Sequence, residues 1–242
     1  MRLYDAPYLL LLQQRLAAAK QRSYDLLAAK PGQLVVDVGC GIGLDAAALA
    51  GNGATVVGLD TNESLLTEAR DKFGAMVAFH CRSAQETGLA SASVDALRFD
   101  RVLQHITPHD AVLTEAHRVL RPGGRLQVVD TDWLSTSLFL PDPALELRLV
   151  ESFALKHCPG AALLRQLPQV MRQHGFVDVT MEVHSVLTED FANADSAVHR
   201  MVAQEMLDGC LTEHEQATWA GWKAASSCWL SQHILIFQAI RG

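Results

Sequence analysis

Residues Val35 to Asp45 read VVDVGCGIGLD: a β-branched run, three glycines within five positions, and then the start of a helical pattern. A strand that runs through a tight glycine turn into a helix restricts the architecture sharply. The helix must cross over a sheet, so the next strand lies parallel to the first. The same unit recurs along the chain. ATVVGLD, MVAFHCRS, SVDALRF and RLQVVDTD read as further strands, and LDAAALAGNG, NESLLTEARDKF and HDAVLTEAHRVL read as helices. Thr61 or Asn62 can cap the second of these helices. RPGG after the third predicts a type II turn, with Pro122 setting φ and Gly123 taking the left-handed position. Five alternations of this kind specify a mostly parallel sheet covered by helices on both faces.

The 242 residues suffice for one large α/β domain, expected to span 1–242. Residues 1–30 read as an N-terminal helical cap, 31–133 as the ligand-binding core, and 134–242 as covering helices and final strands. In that last part GFVDVTMEVHSVL and WLSQHILIFQAI read as strands and Glu189–Ser227 as mainly helical. A formal charge of −7 disfavours a general grip on nucleic acid or a polybasic membrane contact. The five cysteines show no paired spacing, and the apolar run after Asp5 and Pro7 is too short for a signal peptide or a membrane span. A cytoplasmic protein, monomeric or homodimeric, is expected.

The glycine turn brings backbone amides close to a ligand because no Cβ intervenes, and the following helix adds unsatisfied N–H groups. A dinucleotide turn wants G-x-G-x-x-G, whereas the spacing here is Gly39-x-Gly41-x-Gly43; the lysine of a phosphate-binding loop is absent as well. Asp60, closing the second strand, can accept from both hydroxyls of a ribose. A ribosylated ligand without a pyrophosphate fits this pair.

VVDVGCGIG and VVGLD resemble the first two motifs of class I S-adenosylmethionine-dependent methyltransferases. RVLQHITPHDAVLTEAHRVLRPGGRLQVVDTDW is similar to the corresponding segment of their small-molecule branch, which includes the ubiquinone and menaquinone biosynthesis enzymes. The likeness covers roughly Gly32 to Trp133. It implies a Rossmann-like α/β fold with a seven-stranded, mostly parallel sheet, an antiparallel last strand and helical additions. It implies S-adenosylmethionine as cofactor. Asp37 would order the glycine loop and reach the cofactor's amino group, while Gly39, Cys40, Gly41 and Gly43 would line its methionine tail. Asp60 would hold the ribose, with Thr61 and Asn62 beside the adenine. Ser83, Ala84 and Gln85 stand where the family often carries an aspartate for the adenine amino group, so Ser83 is a departure. Asp100, Arg101 and His105 would close the methionine end.

For catalysis, His105 is the first candidate base, with Asp100 and Asp132 behind it. Tyr4, Tyr8 and Trp133 are candidates to shape a substrate pocket for a hydrophobic or aromatic small molecule, with oxygen, nitrogen or carbon as the acceptor. His105 and His109 stand four apart, but Pro108 between them interrupts a helix, and no metal is expected. A non-catalytic binder of the same cofactor is the alternative; a nucleotide-dependent oxidoreductase fits the glycine spacing less well.

Overall fold

The computed structural model describes residues 5–189, 197–224 and 228–242. Two helices come first, α1 (Ala6–Arg15) and α2 (Ala17–Leu27), followed by β1 (Leu34–Val38), α3 (Leu44–Gly51), β2 (Thr55–Asp60), α4 (Glu63–Phe73), β3 (Val77–Cys81) and β4 (Val94–Asp100). Next are α5 (Asp110–Val119), β5 (Leu120–Ser137), α6 (Pro143–Ser152), α7 (Leu167–Gln173), β6 (Phe176–Thr188), α8 (Ala197–Leu207), α9 (Glu213–Ala224) and β7 (Leu230–Arg241). The strands form one seven-stranded sheet in the order β3-β2-β1-β4-β5-β7-β6. β7 runs antiparallel to both its neighbours, and the pairs among β1–β5 are parallel. The expected α/β sheet with an antiparallel last strand is therefore present.

The alternation of side chains along β1 divides the core. Val35 faces Leu27 of α2, Leu49 of α3 and Leu66 of α4, whereas Val36 and Val38 join Leu97, Phe99 and Leu113 on the opposite face. Leu16 and Ala19 extend the first layer over Val129, Ile234 and Ile236 of β5 and β7. Helices thus cover both faces. From β1 the chain proceeds outward to β2, and it returns to β4 on the other side of β1. At that reversal the carboxyl ends of β1 and β4 diverge and leave a crevice, the usual ligand position in such sheets.

One local feature differs from the sequence reading. Gly123 takes the left-handed φ of 74° as predicted. However, RPGG does not separate helix from strand. Leu120 already pairs with Val94 and Arg125 with Ala96, so residues 121–124 bulge out of β5 opposite Asp95. The region 134–173 holds a π-helical turn at Phe153–His157 and a 3-10 helix at Ala161–Gln166 between α6 and α7. Tyr4 and parts of the predicted helical stretch 189–227 lie outside the described residues.

Candidate functional site

The crevice at the ends of β1, β2 and β4 is a cleft of about 930 Å³, roofed by Tyr8, Leu9 and Leu12 of α1. Its floor is the glycine turn. Gly39 and Cys40 both donate their N–H to the Leu59 carbonyl, at 2.6 and 3.0 Å, which folds the turn against β2. Gly39 has φ 74°, and a Cβ there would meet Val102 Cγ2 at 2.2 Å. Gly43, at φ 79°, starts α3; its missing Cβ makes room for the Phe79 ring at 2.7 Å. Neither position accepts a side chain without strain.

Asp60 fastens the turn. One carboxylate oxygen accepts from Gly41 N–H and the other from Asn62 N–H, each at 2.8 Å. Both oxygens keep a lone pair for a further donor. Asn62 caps α4 by accepting from Ser64 N–H at 3.1 Å. Thr61, Asn62, Ala84 and Gln85 line the same end of the cleft.

Four residues expected in the site lie off this surface. Asp37 is buried and does not order the glycine turn; Asp60 does. The parallel register sets Asp37 directly beside Arg98 on β4, and its carboxylate turns to that guanidinium at 3.3 Å. Burial outweighs the pull of Arg98 and pushes its pKa up to about 7. Gly43 faces Phe79 rather than the cleft. Ser83 is spent on a local turn, where its hydroxyl accepts from Glu86 N–H at 3.1 Å. Trp133 is buried next door, donating Nε1–H to Gln104 Oε1 at 2.7 Å.

The far end of the cleft carries Asp100, Arg101, Gln104 and His105. Indole N–H only donates, so the Trp133 bond fixes the Gln104 amide with its nitrogen toward His105. That nitrogen stands 3.0 Å from His105 Nε2, which therefore accepts. Burial, reinforced by the Arg101 charge, pulls the His105 pKa down to about 4, and the ring is neutral at physiological pH. Asp100 is no better a base. Burial alone would raise its pKa, but Lys20, Arg101 and Arg98 hold it well below the ordinary carboxylate range. Asp132, the remaining candidate, is engaged by both Arg165 Nε and Nη2, at 3.2 and 2.9 Å.

A buried charge cluster that sequence reading missed lies beneath α2. Lys20 touches Asp45 at the start of α3 and reaches Asp100 at the end of β4 at 3.0 Å. Arg98 bonds Asp100 at 2.7 Å, and Tyr24 donates to Asp45. The one signal available was Arg98 itself, a guanidinium inside the apolar run VDALRF, which requires buried partners. Beside the cleft, and sharing Tyr8, Leu12, Arg101 and Gln104 with it, is a second chamber of about 50 Å³.

Residues 36–128 match the methyltransferase domain family. An uncharacterised methyltransferase of Synechocystis is 31% identical over 195 residues, covering 74% of this chain and 91% of that protein. An uncharacterised 37.1 kDa transposon protein of Streptomyces fradiae is 30% identical over 231 residues, covering 90% of this chain; the chain spans 64% of its length. Among solved structures, phosphoethanolamine N-methyltransferase 2 of Haemonchus contortus, in complex with S-adenosyl-L-methionine, superposes with a TM-score of 0.62 at 19% identity. That match covers 93% of this chain and 52% of the other.

Proposed function

We propose that this chain, which belongs to the S-adenosylmethionine-dependent methyltransferase family, binds that cofactor in the cleft and methylates a hydrophobic or aromatic small molecule. The observation that carries the reading is Asp60: a half-buried carboxylate, clamped by the Gly41 and Asn62 amides, faces a cleft of about 930 Å³ with accepting capacity left over. Such a group suits a ribose diol. Thr61, Asn62, Ala84 and Gln85 would flank the adenine, and the Gly39–Gly41 backbone would run along the methionine tail. The cradle fits the group for a steric reason as well, since bare backbone at Gly39 and Gly41 forms the floor.

S-adenosylmethionine supplies a methyl group already activated by a positive sulfur. The residues around it need only orient the acceptor, exclude water and leave its nucleophile unprotonated. Tyr8, Leu9 and Leu12 shield the cleft from above. His105 offers a neutral ring that accepts from Gln104, a positioning role rather than a base. Quinone-like or secondary metabolism is the setting we favour for the acceptor. Calorimetry with S-adenosylhomocysteine tests the binding, and incubation with labelled S-adenosylmethionine and an acceptor library tests the transfer. Folded protein that takes up neither compound refutes the reading; tight binding without turnover favours a non-catalytic binder instead.

A further inference from the structure

The second chamber lies at the carboxyl ends of β5 and β6 and the start of β7, closed by α1 and α8. Leu12, Leu16, Trp133, Val198, Leu230 and Ile234 make its walls apolar. No carboxylate lines it among the described residues, although the chain as a whole carries −7. At about 50 Å³ it takes the edge of one ring and nothing polycyclic. Arg101 lines both the chamber and the cleft.

Arg101 is held firmly. Its N–H donates to the Val129 carbonyl at 2.7 Å, and Nε donates to Asp100 Oδ1 at 2.8 Å. It is a non-glycine residue at φ 56°, and such strain persists only where the surroundings impose it. The guanidinium is thus held through Nε, while Nη1 is buried and has no hydrogen-bond partner. A buried cationic donor left unpaired is costly. A ligand oxygen would remove that cost, and an anionic one would gain most.

We propose that the methyl acceptor enters this chamber with an ionised hydroxyl, a phenolate or enolate, whose oxygen accepts from Arg101 Nη1. The assignment rests on the methyltransferase reading and deepens it. It also makes a base at His105, Asp100 or Tyr8 unnecessary. Around the cleft, His105 is a weak proton acceptor, Asp100 is engaged by three cations, and burial pushes the Tyr8 pKa up to about 12. An acceptor already stripped of its proton needs none of them, and a fixed guanidinium favours that ionised form.

The same oxyanion chemistry could come from the cofactor's own carboxylate, and the test separates the two. The probe is 4-nitrophenol, whose ionised form alone absorbs in the visible, added to protein saturated with S-adenosylhomocysteine across a pH series. In the wild type the bound probe is expected to ionise at a lower pH than the free probe. Arg101→Gln should weaken probe binding on the order of tenfold and abolish the pH shift, with Arg101→Lys intermediate. The affinity for S-adenosylhomocysteine, whose proposed cleft Arg101 also lines, should fall by clearly less than that for the probe in both variants. 4-Nitroanisole, which lacks the ionisable oxygen, should bind weakly and equally to all three proteins. If Arg101→Gln fails to fold, as judged by circular dichroism, the lysine variant decides the question. Probe bound as the neutral phenol, absence of probe binding, or binding indifferent to Arg101 would each overturn the proposal. A roughly tenfold loss of S-adenosylhomocysteine affinity in the variants would overturn it too, by giving Nη1 to the cofactor. Wild-type protein that binds no S-adenosylhomocysteine would instead sink the methyltransferase reading, and this proposal with it.

Discussion

Replacing Lys20 with methionine removes one ammonium from between a buried carboxylate, Asp100, and a half-buried one, Asp45, and leaves a side chain of similar length to fill the space. Lys20 is 3% exposed, Asp45 13% and Asp100 5%. Removing one partner of a buried pair typically costs about 3–5 kcal/mol, because the orphaned charge remains out of water. Here Arg98 stays 2.7 Å from Asp100 and 3.5 Å from Asp45, and Arg101 stays 2.8 Å from Asp100. The expected loss is therefore at the lower end, about 3 kcal/mol. For a chain of this size that lowers Tm by about 6–12 °C. The loss should depend on pH with a definite sign. Lys20 is among the charges that depress the Asp45 and Asp100 pKa values in the folded state. Stability from a depressed carboxylate is present above its unfolded pKa, near 4, and is lost as pH falls through the folded value. The gap between wild type and variant should be widest near neutrality and close in acid. Urea unfolding followed by circular dichroism, at pH 7 and at several acidic pH values, measures it. The companion Asp45→Asn variant and the double variant complete a cycle, in which the double variant should lose less than the sum of the two single losses. A loss below about 1 kcal/mol, or one that does not change with pH, would refute the account of Lys20 as a buried counter-ion.

Asp60→Ala should keep the fold and weaken S-adenosylhomocysteine binding by roughly tenfold or more in calorimetry, with Asp60→Asn between it and wild type. His105→Ala should lower kcat by less than about tenfold and leave no inflection near pH 6.5 to remove; a loss above about a hundredfold would restore His105 as the base. Gly39→Ala meets Val102 Cγ2 at 2.2 Å from a left-handed backbone. It should cost about 1–3 kcal/mol in urea unfolding.

What the sequence made legible is local in character. The run VVDVGCGIGLDAAALA states its own strand, turn and helix start, since β-branched residues, then glycines, then leucine and alanine each act within a few positions. Asp60 was readable for the same reason, lying at the end of a strand in step with the first. What escaped the reading depends on register between distant segments. Asp37 belongs to Arg98 because β1 and β4 pair so that the two stand side by side, and no spacing in the sequence reveals which residue of VDALRF falls there. Trp133 and Gln104 meet only when β5 brings its end beside the 3-10 turn at Leu103–His105, and that contact, rather than ring chemistry, makes His105 an acceptor. RPGG chose the expected φ at Gly123 but not its neighbours, because Leu120 had already joined the sheet.

Lys20 is the hardest case and the most informative. In AAAKQRSYDLL it is one more good helix former, and a lysine facing solvent would be written the same way. Its meaning comes from the two carboxylates it joins. Asp45 opens the helix after the glycine turn and Asp100 ends β4, so the pair stands on opposite sides of the point where the sheet reverses. Without a cation between them these like charges would repel, and burial would raise the cost of both. Arg98 supplies part of the compensation from within the sheet, and Lys20 supplies the rest from α2. Seating α2 therefore closes one charge network while α1, the next helix along, brings Tyr8, Leu9 and Leu12 over the cleft. The helical cap thus contributes to the charge network through Lys20 and to the cleft roof through Tyr8, Leu9 and Leu12.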